Sequence, residues 1–153
     1  MRIYIASDHA GFHLKRQLVQ YLGVKGIKVE DMGPDKLEPE DDFVDFASLV
    51  AKKVVLRQAQ DKLGRGILVC GTGQGMALAA NKIKGIRAYV AWDEYTARHA
   101  RENGDANIIT LGAKTVNDVM AKKIVTIFLE TDFLDREKYQ RRIKKVASLE
   151  NEK

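Results

Sequence analysis

The chain has 153 residues, of which 45% are hydrophobic and 31% are charged, with a formal net charge of +5. This composition is typical of a globular domain with its own core, and a single cysteine excludes an intramolecular disulfide. No apolar run approaches the length of a membrane span, so we expect no membrane partner. The cysteine usage favours a cytoplasmic setting.

Short runs rich in β-branched residues alternate along the chain with longer amphipathic segments. In chain order they predict a strand over 2–6, a helix over 11–23, a strand over 27–31, a helix over 44–56, a strand over 66–69, a helix over 76–82, a strand over 86–91, a helix from Asp93, a strand over 107–111, and helices over 116–129 and 136–149. This alternation is typical of a parallel sheet covered on both faces. We therefore predict one doubly wound α/β domain over residues 1–153.

The residues that directly follow the predicted strands are the first candidates for a functional site, because ligands bind outside the carboxyl ends of the strands in such sheets. These candidates are residues 7–9, 70–75, 92–93 and 112–114. The three histidines and the cysteine are too widely spaced for a usual metal-ligand motif, so we predict no metal.

Cys70 ends the third predicted strand, and glycines follow it at positions 71, 73 and 75. Bare backbone amides of this kind can hold an oxyanion, and they favour the thiolate form of a neighbouring cysteine, which acts as a base or a nucleophile. A cysteine at the end of a strand can equally be a small buried hydrophobe. The residues by themselves leave both interpretations open.

A dinucleotide site is an alternative interpretation of the same glycine loop. Its fingerprint is G-x-G-x-x-G, but the third glycine comes one residue early here and Met76 takes its place. Asp93 does lie about twenty residues further on, where a ribose-binding acid is expected. Because the loop itself does not match, a nest for a phosphate, carboxylate or enolate oxygen fits better.

Two further groups of polar residues have alternative interpretations. Asp8 and His9 end the first predicted strand, where two titratable side chains favour a role in the site over that of a hydrogen-bonded loop. Six basic residues lie between positions 136 and 145 on the last predicted helix. Aromatic residues do not interleave with them as a nucleic-acid reader needs, so we predict a phosphate site and no nucleic-acid partner.

Four segments, taken together, resemble the family of type B ribose-5-phosphate isomerases and galactose-6-phosphate isomerase subunits. They are Ser-Asp-His-Ala-Gly at 7–11, Cys-Gly-Thr-Gly-x-Gly at 70–75, Ala-Ala-Asn-Lys-x-x-Gly-Ile-Arg at 79–87 and Gln-x-Arg at 140–142. The resemblance covers essentially the whole chain. It implies a flavodoxin-like, three-layer α/β/α sandwich with a five-stranded parallel sheet and a C-terminal helical extension. It further implies a homodimer or homotetramer whose active sites are shared between subunits.

The resemblance also implies a reaction, namely the interconversion of an aldose phosphate and a ketose phosphate through an enediolate, without a cofactor. Ribose 5-phosphate and ribulose 5-phosphate are the expected pair. Cys70 is then the base that moves a proton between C1 and C2, and Thr72 assists that transfer. The implied binding residues are Gly71, Gly73 and Gly75 for the enediolate oxyanion, Asp8 for sugar hydroxyls, and His9, Lys114, Lys138 and Arg142 for the phosphate.

The chain departs from the family pattern at the residue that opens the sugar ring. Many members carry a histidine where this chain has Asn103, and a second frequent histidine is replaced by Tyr139. Asparagine cannot act as an acid or a base. His99 lies one helical turn earlier on the same predicted face, and our hypothesis is that it reaches the ring oxygen instead.

These departures leave alternative functions open. A hexose 6-phosphate, of galactose or allose, is the alternative substrate within the same class of isomerase. A protein that binds sugar phosphates without turnover, or that supports a catalytic partner subunit, is the alternative from another class. The thiol at position 70 argues against this second alternative, because a site that only binds has no need of a base.

Overall fold

The computed structural model of the chain describes residues 1–60 and 63–151. Within these residues the chain forms five strands and six helices. The strands are β1 (Arg2–Ser7), β2 (Val29–Asp31), β3 (Gly64–Cys70), β4 (Ala88–Val90) and β5 (Ile108–Gly112). The helices are α1 (Phe12–Val24), α2 (Phe43–Gln58), α3 (Gln74–Ala80), α4 (Glu94–Gly104), α5 (Asp118–Glu130) and α6 (Glu137–Leu149). The predicted alternation and the α/β class are confirmed.

The largest differences from the predicted boundaries are at the edges of the sheet and in α3. β2 and β4 are shorter than predicted because each is an edge strand that pairs with one neighbour over three residues. α3 begins two residues earlier than predicted, directly after Gly73. It ends before Asn81, whose side-chain amide hydrogen-bonds the backbone N–H and C=O of Ala88.

All neighbouring strands are parallel, and their order is β2-β1-β3-β5-β4. The flavodoxin order is 2-1-3-4-5, so the last two strands of this sheet exchange places relative to it. The chain steps toward the β2 edge from β1 to β2 and from β4 to β5, and it steps the other way from β2 to β3 and from β3 to β4. Because crossovers are right-handed, opposite steps place the connecting helices on opposite faces.

The core has two layers that follow from these steps. Residues of α1, α4 and α5 pack together on one face of the sheet. Residues of α2 and α3 pack on the other face, around side chains such as Val50, Leu68 and Met76. The result is a three-layer α/β/α sandwich, and the carboxyl ends of all five strands meet at one edge of it.

Candidate active site

At the carboxyl end of β3, the connection that leaves this strand and those that leave its two neighbours lead to opposite faces of the sheet. The strands beside it, β1 and β5, lead into helices on one face, whereas β3 leads into α3 on the other face. Crevices form where neighbouring connections diverge in this way, and ligands bind in them. Cys70 is the last residue of β3, so it lies between two such crevices.

The Cys70 thiol is buried, with 6% of the residue exposed. Its Sγ accepts a hydrogen bond from the backbone N–H of Gly73 at 3.1 Å. An N–H directed at sulfur is a contact that a thiolate can accept. Gly73 has a φ of +80°, and a Cβ there would lie 3.1 Å from the carbonyl carbon of Leu111. Only glycine places this N–H at the sulfur without strain.

The loop after β5 is joined to the loop after β3 by two backbone hydrogen bonds. Ala113 donates to the carbonyl of Cys70 at 2.8 Å, and Lys114 donates to the carbonyl of Gly71 at 2.9 Å. The aliphatic carbons of the Lys114 side chain lie against Gly71, 3.8 Å from the position of a Cβ on that glycine. The exposed Lys114 ammonium is therefore carried on the same edge as the thiol.

The loop after β1 reaches the same place from the other side. Asp8 is buried, and its Oδ1 accepts a hydrogen bond from the backbone N–H of Gly11 at 3.0 Å. Gly11 packs directly on the carbonyl of Val69, leaving no room for a Cβ. Ala10 lies beside Gly71, 3.7 Å from the position of a Cβ there. This close packing sets Asp8 next to the end of β3.

His9 is held by Asp41, a residue of the loop between β2 and α2. Asp41 Oδ1 accepts hydrogen bonds from the backbone N–H of His9 at 2.9 Å and from its Nδ1 at 2.7 Å. The hydrogen bond to Asp41 raises the pKa of His9 above its usual value, the charges of Asp8 and Glu40 add to this, and burial opposes it. The Asp41 contact thus favours a positively charged imidazole at this edge.

The remaining predicted residues of the glycine loop also lie at this edge. The Thr72 hydroxyl is exposed and accepts a hydrogen bond from the backbone N–H of Gln74 at 3.4 Å. Gly75 lies under the ring of Phe43, with 3.0 Å between a ring carbon and the position of a Cβ on the glycine. The aromatic ring therefore borders the loop from the α2 side.

The other predicted site residues are not brought to this edge within one chain. Asn103 lies in the last turn of α4, next to Gly104, whose carbonyl accepts a hydrogen bond from Nε of Arg87 just before β4. This is the opposite edge of the sheet. His99 is exposed one turn earlier on α4, with its ring centroid 5.8 Å from that of Tyr95.

Lys138 and Arg142 also lie away from Cys70. Both are exposed on α6, which the chain enters after Leu134 donates a hydrogen bond to the carbonyl of Glu102 near the end of α4. At the other end of α6, Glu150 accepts a hydrogen bond from the backbone N–H of Gly85, shortly before β4. Both ends of α6 are therefore fixed near the amino ends of the strands.

Sequence reasoning missed several residues that shape the site. Asp41 and Phe43 reach it from the loop before α2 and from the start of that helix. Gly112, which was among the sequence candidates at the end of β5, packs against the backbone of Thr72. Gly11 was quoted only as part of a motif. No local signal distinguishes Asp41 from the acidic residues around it, because its partner lies 32 positions away.

The residues that do converge can perform proton-transfer chemistry on an anionic substrate. A buried thiol lies beside backbone amides, and His9 and Lys114 lie on the flanking loops. A thiolate can take a proton next to a carbonyl, amides can hold the oxyanion, and the two cations can hold a phosphate.

Within residues 1–60 and 63–151, no group of three or more His, Cys, Asp or Glu side chains is arranged to hold a metal ion. In the same described part of the chain, none of the helices combines the length and apolar character needed to traverse a lipid bilayer.

Comparison with known proteins identifies similar sequences and structures along nearly the whole chain. The sequence model of the family described as Ribose/Galactose Isomerase matches residues 3–146. A probable ribose-5-phosphate isomerase B of Mycoplasma genitalium is 43% identical over 98% of this chain and 96% of its own length. Ribose-5-phosphate isomerase B of Escherichia coli is 36% identical over 97% of this chain and 96% of its own.

Solved structures agree with the sequence comparison. The crystal structure of the Mycoplasma genitalium ribose-5-phosphate isomerase B, with bound ribulose-5-phosphate, superposes with a TM-score of 0.91 at 43% identity and covers 99% of this chain and 97% of that one. The type B ribose 5-phosphate isomerase of Trypanosoma brucei superposes with a TM-score of 0.88 at 36% identity, covering 97% of each chain.

Proposed function

The chain belongs to the ribose/galactose isomerase family, and we propose that it interconverts ribose 5-phosphate and ribulose 5-phosphate with Cys70 as the base. The observation that carries this is the hydrogen bond from the Gly73 N–H to Cys70 Sγ, at an edge flanked by His9 and Lys114. It is an aldose–ketose isomerase, since its relatives over nearly the whole chain are ribose-5-phosphate isomerases. These relatives do not favour a hexose phosphate as the substrate.

The reaction moves one proton between neighbouring carbons and consumes no oxidant or reductant. In the direction from aldose to ketose, the Cys70 thiolate takes the proton from C2, and the C2–H electrons form the C1–C2 double bond of the enediolate. The O1 oxygen takes the negative charge, which the amides of Gly71 and Gly75 stabilise, and the Gly73 N–H turns to it from Cys70 Sγ once the sulfur has taken up the proton. The thiol then returns the proton to C1, while O2 becomes the carbonyl and its proton passes to O1 with the help of Thr72.

The substrate is oriented by its hydroxyls and its phosphate. Asp8 binds sugar hydroxyls through the carboxylate oxygen that is not committed to Gly11. His9 and Lys114 bind the phosphate from the loops on either side of Cys70. Charge-assisted hydrogen bonds of this kind fix a phosphate strongly and hold the reacting carbons at the thiol.

We further propose that two copies of the chain form a homodimer in which each active site is shared. Asn103, Lys138 and Arg142 lie at the opposite edge of the sheet from Cys70 and reach an active site only if a second copy supplies them. Large apolar side chains are exposed on α3, β4, the loop before α4, α4 and α6, namely Leu78, Tyr89, Trp92, Tyr95, Val146 and Leu149. A second copy that covers such side chains removes their apolar surface from water.

Ring opening is assigned to His99 of the second copy. Asn103 can bind the sugar but cannot transfer a proton, and His99 is exposed one turn away on the same helix. Alanine at position 99 should slow the conversion of ribose 5-phosphate, which is cyclic in water. It should leave the conversion of ribulose 5-phosphate less affected, because a phosphate on O5 keeps that ketose open. Equal turnover by His99→Ala and the unaltered protein in both directions would reject this role.

The main experiment is an isomerase assay on ribose 5-phosphate, allose 6-phosphate and galactose 6-phosphate. We expect turnover of ribose 5-phosphate by the unaltered protein. Cys70→Ser should lower kcat by about 10²–10⁴-fold, because serine keeps the shape of the side chain but its hydroxyl does not ionise near neutral pH. Undiminished turnover by Cys70→Ser would rule out the thiol base. Binding of these sugar phosphates without turnover by the unaltered protein would instead favour a non-catalytic binding protein.

We also propose that residues 1–153 form one isomerase domain, which acts in the cytoplasm. Phosphorylated sugars are charged metabolites that do not cross membranes unaided, and a chain with one cysteine fits a reducing compartment.

A further inference from the structure

One carboxylate in the loop between β2 and α2 differs from its neighbours. This loop, residues 32–42, carries five acidic residues, namely Asp35, Glu38, Glu40, Asp41 and Asp42. Residues 35–40 and Asp42 are exposed, whereas the Asp41 side chain is only 10% exposed. Both His9 donors, the backbone N–H and Nδ1, end on the Oδ1 atom of this one buried group.

The burial of Asp41 requires a compensating positive charge. Its second oxygen, Oδ2, is buried without a hydrogen-bond partner among the described residues. An ionised carboxylate loses much of its hydration free energy in such a place. A cation paired with it compensates for that loss. His9 is the group in contact, so the pair is stabilised when the imidazole carries two protons.

We propose that Asp41 is a positioning residue, which holds His9 as an imidazolium and leaves its Nε2–H free for the phosphate of the substrate. This inference rests on the proposed function, because it concerns how a sugar phosphate is held there. With Nδ1 committed to Asp41 at 2.7 Å, Nε2 is the ring nitrogen that remains for a ligand.

The loop that carries Asp41 is itself anchored at its start. Lys15, in α1, is 1% exposed, and its ammonium donates to both oxygens of Asp31 and to the carbonyl of Pro34. The backbone N–H of Gly33 donates to Asp31 as well, at 3.0 Å. At its other end the loop runs directly into α2. These contacts keep Asp41 within reach of His9.

Charged groups of both signs lie at the edge that carries His9. Asp8, on the same loop, and Glu40 and Asp41, on the loop before α2, favour the protonated ring, and burial opposes it. Lys114, on the loop after β5, is a cation placed at the same edge, with its aliphatic carbons against Gly71. Because the pKa of His9 is raised, the imidazolium is fully present below the usual value of 6.5, and it is lost as the pH rises through the raised pKa.

The test is the pH dependence of ribose 5-phosphate binding, measured by calorimetry for the unaltered protein and for Asp41→Asn. Asparagine keeps the shape and an acceptor oxygen but removes the charge. We expect equal affinities near pH 5.5, where His9 is protonated in both proteins. At a pH between 6.5 and the raised pKa, the variant should bind several-fold more weakly, because its His9 has lost the proton that makes the hydrogen bond to the phosphate charge-assisted. The titration of the phosphate itself, near pH 6, is common to both proteins and cancels.

Asp35→Asn is the matched control, since it removes the same charge from the same loop. The Asp35 side chain is exposed and takes part in no hydrogen bond or ion pair with the residues that the structure describes. Its binding profile should follow that of the unaltered protein. Asp41→Glu should restore part of the affinity at the higher pH.

Two results would overturn the inference. One is a pH profile for Asp41→Asn that matches the control, or that is weaker by the same factor at every pH. The other needs no variant, namely an NMR titration of the unaltered protein in which His9 loses its proton at or below pH 6.5. Isomerase turnover is measured in parallel. The role of Asp41 is judged from the pH dependence of binding and the isomerase function from turnover, so that failure of one can be told from failure of the other.

Discussion

At the scale of single residues, Gly73 meets two requirements at once. Its backbone has a φ of +80°, which residues other than glycine rarely adopt, and its N–H donates to the sulfur of Cys70. Gly71, two residues earlier, meets neither requirement, and a Cβ there would find ordinary contacts at 3.7 and 3.8 Å. The two glycines look equivalent in the sequence and differ in the structure.

A pair of variants tests this difference. Gly73→Ala should lower the free energy of unfolding by about 1–2 kcal/mol from the left-handed backbone alone, with crowding against Leu111 in addition, and should reduce kcat. Gly71→Ala should stay within about 1 kcal/mol of the unaltered protein. Urea unfolding at a fixed protein concentration measures both. Equal stability of the two variants would contradict the strain assigned to Gly73.

At the scale of elements, the Lys15–Asp31 pair ties α1 to the end of β2 and so to the loop that carries Asp41. The two partners are unequally buried, since the Lys15 side chain is 1% exposed and the Asp31 side chain 33%. A variant that leaves the lysine without its partner therefore leaves the more deeply buried charge uncompensated.

We accordingly expect Asp31→Asn to destabilise the protein by about 3 kcal/mol, the cost of leaving the buried lysine charge without its carboxylate. Lys15→Met should cost less, because methionine fills the buried space and the remaining carboxylate keeps some contact with water. The measurement is the midpoint of urea unfolding for both variants. A larger loss for Lys15→Met than for Asp31→Asn would contradict the argument from burial.

At the scale of the whole molecule, α6 bears on the proposed dimer because it packs lightly on its own chain. Of its thirteen residues only Tyr139 is buried, while Val146 and Leu149 are each 57% exposed. A helix so lightly packed on its own chain is stabilised by burying its apolar stripe against another surface. In the proposed dimer the second copy provides that surface.

Shared sites make a prediction about mixed dimers. Cys70→Ala and Arg142→Ala should each be impaired alone. A dimer with one copy of each has one intact site, so an equal mixture of refolded chains should recover about a quarter of the unaltered activity, as random pairing of a two-fold dimer requires. Cys70→Ala mixed with Thr72→Ala is the control, since both changes lie at the same edge and no intact site forms. Failure of the first mixture to recover activity would refute shared sites.

Local pattern determined the elements of this protein and the edge at which the candidate site lies. Apolar periodicity identified the strands and helices, and in a parallel sheet the residues after each strand share one edge whatever the strand order. Cys70, its glycine loop, Asp8, His9 and Lys114 could therefore be placed together before any coordinates. Edge strands were predicted too long, because pairing with one neighbour leaves their ends outside the ladder.

Only the tertiary structure decided which loops touch and which residues a single chain keeps apart. The strand order, the contact between Asp41 and His9, and the position of α6 at the opposite edge of the sheet depend on contacts between residues distant in sequence. A single sequence carries no local signal for such contacts. The carboxylate of Asp41 and those of the exposed acidic residues beside it have the same neighbours in sequence. Packing distinguishes them, and packing exists only once the chain has folded.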